Sequence, residues 1–215
     1  MYFLNELFKK IFCTIKPNKG EKLRWEKNVI FIYDNDYKYN CTYGTFSEWI
    51  EINKQKNGLF KKWYKSYDKN KRKWFLYKEF NFQNKKLHGW YNLYYLNGNY
   101  SVKCFFKNGK IDGLYETWYK NCQRHVLSNY KDGKKDGFYI KWNKDGKKII
   151  EEYYKNGKKN GVCKKFCKDG KIKENNYVDG KKHGVCKIYK DEIVLVSYIM
   201  NDGKFVKRIN SYEGQ

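Results

Sequence analysis

"DGFYIKWNKDGKK" at Asp136–Lys148 is followed one period later by "NGVCKKFCKDGKI" at Asn160–Ile172. The choice is between a lysine-rich tract of low complexity and a folded array, and self-similarity at a fixed period marks the second. Gly89, Gly113, Gly137, Gly161 and Gly184 open five units spaced 24, 24, 24 and 23 residues apart. Nine residues after each of them come Gly98, Cys122, Gly146, Gly170 and Ile193, and the units close on Gly109, Gly133, Gly157, Gly180 and Gly203. Two turn positions per unit imply two short strands per unit. Asn-Gly and Asp-Gly pairs such as Asn108-Gly109 and Asp145-Gly146 supply the positive φ that tight hairpin turns require.

The side chains keep the same register. One residue after the opening glycine stand Trp90, Leu114, Phe138, Val162 and Val185; two after it Tyr91, Tyr115, Tyr139, Cys163 and Cys186; five after it Tyr94, Trp118, Trp142, Phe166 and Tyr189. The second strand carries Phe106, Tyr130, Tyr154, Tyr177 and Met200. Disordered chains are poor in aromatics, so this tract folds. The reading is an all-β protein, with Trp118, Trp142 and Phe166 stacked on one face of a single sheet.

Outward from the regular units the period weakens. "GLFKKWYKS" at Gly58–Ser66 matches "GLYETWYKN" at Gly113–Asn121, and "FQNKKLHG" at Phe82–Gly89 matches "YVDGKKHG" at Tyr177–Gly184. Residues 58–88 therefore read as one more unit with an insertion, and 17–57 as N-terminal strands and a degenerate repeat that caps the stack. "NVIFIYDNDYKYNCTYG" within this cap reads as strand, turn, strand. Residues 89–203 are the five regular repeats and 204–215 a C-terminal tail.

The first sixteen residues differ in kind. Phe3, Leu4, Leu7, Phe8, Ile11, Phe12 and Ile15 follow helical spacing, and Glu6, Lys9, Lys10 and Lys16 take the other side. The spacing predicts an amphipathic helix over residues 1–16. It has two uses: covering an open end of the array, or lying on a membrane surface with Lys9 and Lys10 at its flank. In the second case Phe3, Leu4, Leu7, Phe8, Lys9, Lys10, Ile11 and Phe12 are the contact residues.

The formal charge of +24 points to an acidic partner, but the excess is spread along the chain without a basic arm. It comes from 43 Lys against 4 Arg, beside 23 Asn and no Ala, as an AT-rich coding sequence would produce. Specific nucleic-acid readers lean on the bidentate fork of arginine, so that class is disfavoured. Seven cysteines without a CxxC pair fit a reducing, cytoplasmic setting, with the periphery of a membrane as the alternative location.

The unit "G-x-aromatic-x-x-aromatic-x-x-x-G" followed by a strand ending "Y-x-x-G-K-x-x-G" resembles the variant MORN repeat (membrane occupation and recognition nexus), as in YwqK-type antitoxin proteins. The resemblance covers residues 89–203 well and 58–88 loosely. It implies β-hairpins stacked into one elongated, twisted sheet, and a scaffold or protein-binding role that is antitoxin-like. Cys163 and Cys186 depart from the pattern at the aromatic position, Cys122 and Ile193 at the inner glycine.

Catalytic chemistry finds no constellation in the sequence. His88 and His183 occupy the same turn position, and the acids stand mainly beside turn glycines. No glycine-rich loop precedes a helix, and no cofactor is called for. Cys163, Cys167 and Cys186 are the best metal candidates; the plainer reading makes them small buried hydrophobes in place of tyrosines, reduced and close together. The densest basic and aromatic stretch is "KKWYKSYDKNKRKWFLYK" at Lys61–Lys78, where the insertion breaks the period. Insertions in repeat proteins often bind. Lys61, Lys62, Trp63, Tyr64, Tyr67, Lys71, Arg72, Lys73, Trp74 and Tyr77 are accordingly the expected partner-binding residues. The functional expectation is a non-catalytic repeat protein that binds another protein; the alternative is a peripheral scaffold on anionic lipid.

Overall fold

The computed structural model describes the backbone of residues 23–26, 29–33, 37–42, 45–52, 55–65 and 74–209, and the side chains of 58–63 and 75–209. The helix expected over 1–16 lies outside the described residues. No helix occurs among those described.

The strands are β1 (Leu23–Glu26), β2 (Val29–Tyr33), β3 (Tyr37–Thr42), β4 (Thr45–Ile52), β5 (Gln55–Lys65), β6 (Trp74–Gln83), β7 (Lys86–Tyr94), β8 (Tyr100–Lys107), β9 (Lys110–Trp118) and β10 (Arg124–Lys131). They continue as β11 (Lys134–Trp142), β12 (Lys148–Lys155), β13 (Lys158–Lys159), β14 (Gly161–Phe166), β15 (Ile172–Val178), β16 (Lys181–Lys182), β17 (Gly184–Lys190), β18 (Ile193–Asn201) and β19 (Lys204–Ile209). Successive strands pair antiparallel from β1–β2 to β18–β19, forming one open meander. β13 and β14 are two pieces of one strand alongside β12, and β16 and β17 two pieces alongside β15. β2 and β3 are the strand pair expected in the cap. The segment expected as a tail begins with β19, which pairs with β18.

Closing turns such as Asn108-Gly109 and Asp132-Gly133 hold both residues at positive φ, 52° and 83° in the first and 49° and 81° in the second. Their geometry matches the twist of the flanking strands. Each turn is tied to the preceding unit: the Gly133 amide donates to the Ile111 carbonyl at 2.8 Å, and the Gly157 amide to Lys135 at 2.7 Å. At the opposite edge Asn121 Nδ2 donates to the Lys144 carbonyl at 2.8 Å, and Tyr119 Oη to the Trp142 carbonyl at 3.0 Å. Each edge thus has its own ladder from unit to unit.

The opening glycines are bends between hairpins. Between the pairs Ser128–Tyr139 and Tyr130–Lys135, the single residue Asn129 faces Asp136, Gly137 and Phe138. Gly137 adopts φ 109° there, and a Cβ on it would stand 3.2 Å from that of Asn129. The φ calls for glycine, and the close contact adds to the strain of any side chain.

Directly opposed residues share a face. The tyrosine face carries a row through Phe80, Tyr91, Cys104, Tyr115, Ser128 and Tyr139 that continues to Cys163 and Cys186. Here small residues sit opposite large rings: Tyr91 and Phe106, 5.7 Å apart, flank Cys104, and Tyr115 and Tyr130, 5.6 Å apart, flank Ser128. Cys104, Ser128, Cys163 and Cys186 are buried by this size alternation. A single-layer sheet thereby obtains a core without an opposing layer.

The other side, the tryptophan face, carries Tyr94, Tyr100, Trp118, Arg124, Trp142, Lys148, Phe166 and Ile172 in one row. Trp118, Trp142 and Phe166 share this face as expected. Their neighbours, however, are the residues of the intervening strands: Trp118 lies 5.8 Å from the Tyr100 ring, and the Arg124 guanidinium 5.8 Å from the Trp142 ring. Equal positions are two strands apart, roughly 10 Å, too far for ring contact.

Candidate partner-binding surface

Of the stretch Lys61–Lys78, residues 61–65 and 74–78 lie in the facing parts of β5 and β6 and are divided between the two faces. Lys61 opposes Glu79 on the tryptophan face, with its ammonium 6.0 Å from the half-buried Trp63 ring. Lys62 opposes Lys78 on the tyrosine face, and Lys78 lies 5.4 Å from the Phe80 ring. Burial, then the charge of Lys62, pulls the Lys78 pKa down. Tyr77 is the extra residue of a bulge, because Lys62 pairs with Lys78 and Trp63 with Leu76. Tyr64 opposes Phe75, and Trp74 opposes Lys65. Tyr67, Lys71, Arg72 and Lys73 lie outside the described residues, as do all eight residues of the expected membrane contact. Among the described residues, those of the expected site are divided between the two faces.

A more continuous surface runs over the five regular hairpins on the tryptophan face. The opposed pairs Trp90–Phe105, Phe138–Tyr153 and Val185–Ile199, with Leu114 and Val162 between them opposite asparagines, form a stripe parallel to the closing turns. Exposure is 43% at Trp90, 53% at Tyr153, 51% at Val162 and 41% at Val185, and the adjoining Val178 is 47% exposed. Next to the stripe, at the turn rim, Lys107 opposes Lys110, Lys131 opposes Lys134, and Lys155 opposes Lys158. All six are exposed, and among the described residues none takes part in an ion pair. Like charges directly opposite one another on a sheet are destabilising. The stems of Lys110 and Lys134 lie over the next turn glycine, 3.7 Å from where its Cβ would be, which orders the row.

Beyond the stripe, the middle of the same face is partly neutralised. Arg124 pairs with Glu116 at 3.2 Å, Lys148 with Glu151 at 3.5 Å and Lys164 with Glu174 at 3.2 Å. Glu79 accepts from Asn92 Nδ2 at 3.0 Å and from the Tyr94 hydroxyl, and burial followed by that bond raises the Tyr94 pKa. Lys103 and Lys187 also lie on this part of the face, and at the rim the Asp112 and Asp136 carboxylates accept from the Asp132 and Asn156 amides, so the excess of lysine at the rim is partly offset. The sequence reading used the residues after the opening glycines only as evidence for strands. Their alternation with the lysine that flanks each closing turn was the signal available for a surface.

The three candidate thiols do not meet. Cys163 and Cys186 occupy the same row but are separated by β15, roughly 10 Å, and Cys167 lies in the turn beyond β14. No group of three or more His, Cys, Asp or Glu among the described residues is arranged to hold a metal. Burial pushes the Cys104 thiol up to about 12 and raises that of Cys163, so both are protonated at neutral pH and poor ligands.

One polar cluster interrupts the tyrosine face. Glu152 accepts from the Tyr154 hydroxyl at 2.7 Å and pairs with Lys159, and the Lys135 ammonium lies 3.8 Å from the Tyr139 ring. Burial pulls Lys159 down, but the Glu152 hydrogen bond and charge leave it raised overall. Its members satisfy one another.

No helix among the described residues is long and apolar enough to cross a membrane. Comparison with known proteins yields no matching family model and no matching curated relative.

Proposed function

We propose that this chain is a non-catalytic repeat protein that binds another protein through the tryptophan face. The observation carrying this reading is the apolar stripe along the five hairpins, exposed at Trp90, Tyr153, Val162 and Val185 and bordered at three turns by opposed lysines without ion pairs among the described residues. Contiguous apolar surface bounded by polar residues characterises interaction sites. The variant MORN resemblance supports the same role and suggests an antitoxin-like partner relationship. A peripheral membrane scaffold is the second reading, favoured by the helical spacing of Phe3, Leu4, Leu7 and Phe8 beside Lys9 and Lys10.

Affinity capture by the full chain with mass spectrometry, together with flotation on phosphatidylserine vesicles, separates the two. For a protein-binding array, deletion of residues 1–16 leaves partner capture intact. Trp63→Ala with Trp74→Ala then reports whether the irregular hairpin contributes, provided circular dichroism and melting temperature are unchanged. For a membrane scaffold the same deletion abolishes vesicle binding, because buried apolar area supplies the anchor. Capture of no partner, with vesicle binding lost on deletion, would reverse the choice.

A further inference from the structure

We propose that the rim side of the tryptophan face, over the last three hairpins, holds an acidic amphipathic helix of a partner protein lying across the strands. This rests on the protein-binding reading above and adds the chemistry of the partner.

The occupant's backbone conformation follows from the pairing. Tyr153, Val162, Val178 and Val185 lie in strands hydrogen-bonded on both sides, β12 to β11 and β14, β15 to β14 and β17, and β17 to β18. The stripe therefore offers side chains and no free ladder of amides and carbonyls. An extended ligand would leave its own backbone groups unpaired against this apolar strip, whereas a helix satisfies them internally.

Spacing agrees with a helix. Successive strands lie about 4.8 Å apart and successive hairpins about 9.6 Å. Residues three or four apart on a helix are about 5–6 Å apart, and a heptad rises about 10.5 Å. A helix crossing the strands can therefore set one apolar residue against each strand. Sheet twist of about 20–25° per strand turns the row through some 40–50° per hairpin. A flat bilayer then meets one hairpin at a time, while a narrow helix follows two or three, which corresponds to about 20 residues.

Charge fixes the orientation. One border of the stripe is the row Lys131, Lys134, Lys155 and Lys158, opposed in pairs and without ion pairs among the described residues. The rim row ends at Lys181, which pairs with Asp202, and the other border is more nearly balanced, with Lys164 paired to Glu174 and Lys187 opposite the same acid. A helix with acids along one flank relieves the lysine repulsion, and its other flank need carry no charge.

The test uses the full chain and a fluorescent 21-residue peptide with leucine at the first and fourth positions of each heptad and glutamate along one flank. A peptide of the same composition in scrambled order is the control. Anisotropy should show saturable binding, with the scrambled peptide at least about tenfold weaker, because only the ordered apolar stripe buries area. Val162→Thr with Val185→Thr keeps β-branching and should weaken binding by about tenfold at unchanged circular dichroism and melting temperature. Lys155→Gln with Lys158→Gln should weaken it by about threefold, an effect that shrinks with added salt. Equal binding of the scrambled peptide, or no effect of the valine changes, overturns the proposal. If the peptide fails but a protein captured by the chain is released by the valine changes, the helix falls and the protein-binding reading stands. If those changes instead release the chain from phosphatidylserine vesicles and no protein is captured, both fall.

Discussion

Gly137 and Glu192 occupy opposite ends of the same conformational problem. Gly137 has φ 109°, and a Cβ on it would stand a tight 3.2 Å from that of Asn129, so Gly137→Ala should cost about 2 kcal/mol. Glu192 stands at φ 67° in the Asp191-Glu192 turn, a conformation that other turns of this chain give to glycine. Glu192→Gly should raise stability by about 1 kcal/mol. Urea unfolding checks both, and an unchanged midpoint for Gly137→Ala would show that the bend tolerates a side chain. Ser128 is a second case: its hydroxyl is fully buried, opposite Tyr115 and Tyr139, with no hydrogen-bond partner. An unsatisfied buried hydroxyl costs about 1–3 kcal/mol. Ser128→Ala should therefore raise the unfolding free energy by about 1 kcal/mol, and a fall would mean that the hydroxyl has a role in packing.

Strand-level geometry explains an irregularity in the period. In the units opened by Gly89, Gly113 and Gly137, one residue of the second strand is skipped by the pairing: Ser101, His125 and Ile149. The unit opened by Gly161 pairs Phe166–Ile172 and Lys165–Lys173 without a skip, and it is the unit of 23 residues. The missing residue is a missing bulge. The tyrosine face also sets a pH response for these strands. Burial comes first among the causes that raise Tyr91, Tyr115, Tyr130, Tyr139 and Tyr154 above their ordinary 10.0, and it raises Cys104 and Cys163 above 9.0. The unfolded chain loses these protons first, so the stability they confer is complete below about pH 9 and is lost as pH rises through the folded values. Lys78 and Lys135, lowered chiefly by burial, act in the opposite sense but are fewer. At about 1 M salt, where the self-repulsion of the chain is screened, the melting temperature should fall steadily from pH 9 to 11, while absorbance shows folded tyrosines ionising later than free tyrosine. A constant melting temperature over that range would contradict the burial of the row.

At the scale of the whole molecule, a net charge of +24 on an open sheet makes self-repulsion a global term. Three opposed lysine pairs at the rim add to it locally, while the ion pairs elsewhere are exposed or half-buried and individually weak. Raising ionic strength from about 10 mM to about 150 mM shortens the screening length from roughly 30 to 8 Å. The melting temperature should rise accordingly, with the larger part of the change at the low end. A fall would show that attractive pairs outweigh the repulsion. Lys107→Glu with Lys131→Glu should reduce the salt response, since each change removes one opposed pair and creates an attractive one.

The array was legible in the sequence because a hairpin repeat writes its geometry locally. Turn glycines recur where φ must be positive, and aromatics recur where a side chain must face the same way. Hence Gly113, Gly137 and Gly161, with Tyr115, Tyr139 and Cys163 two residues on, suffice to place the strands in one sheet. How the expected partner-binding stretch is shared between the faces was not legible, because composition is blind to strand direction: Lys61 and Lys62 adjoin in the chain and face opposite sides. The three thiols were expected together because equal repeat positions were taken as neighbours, whereas an antiparallel meander places another strand between them. Tertiary structure alone decided which lysines are neutralised. Lys164 meets Glu174 across a strand pair, while Lys155 meets Lys158 across a turn, and only pairing register separates these outcomes. Local conformation is a property of a few consecutive residues and can be read from them. A charged surface is a property of residues brought together by pairing, so its position on this protein emerged only with the register of the sheet.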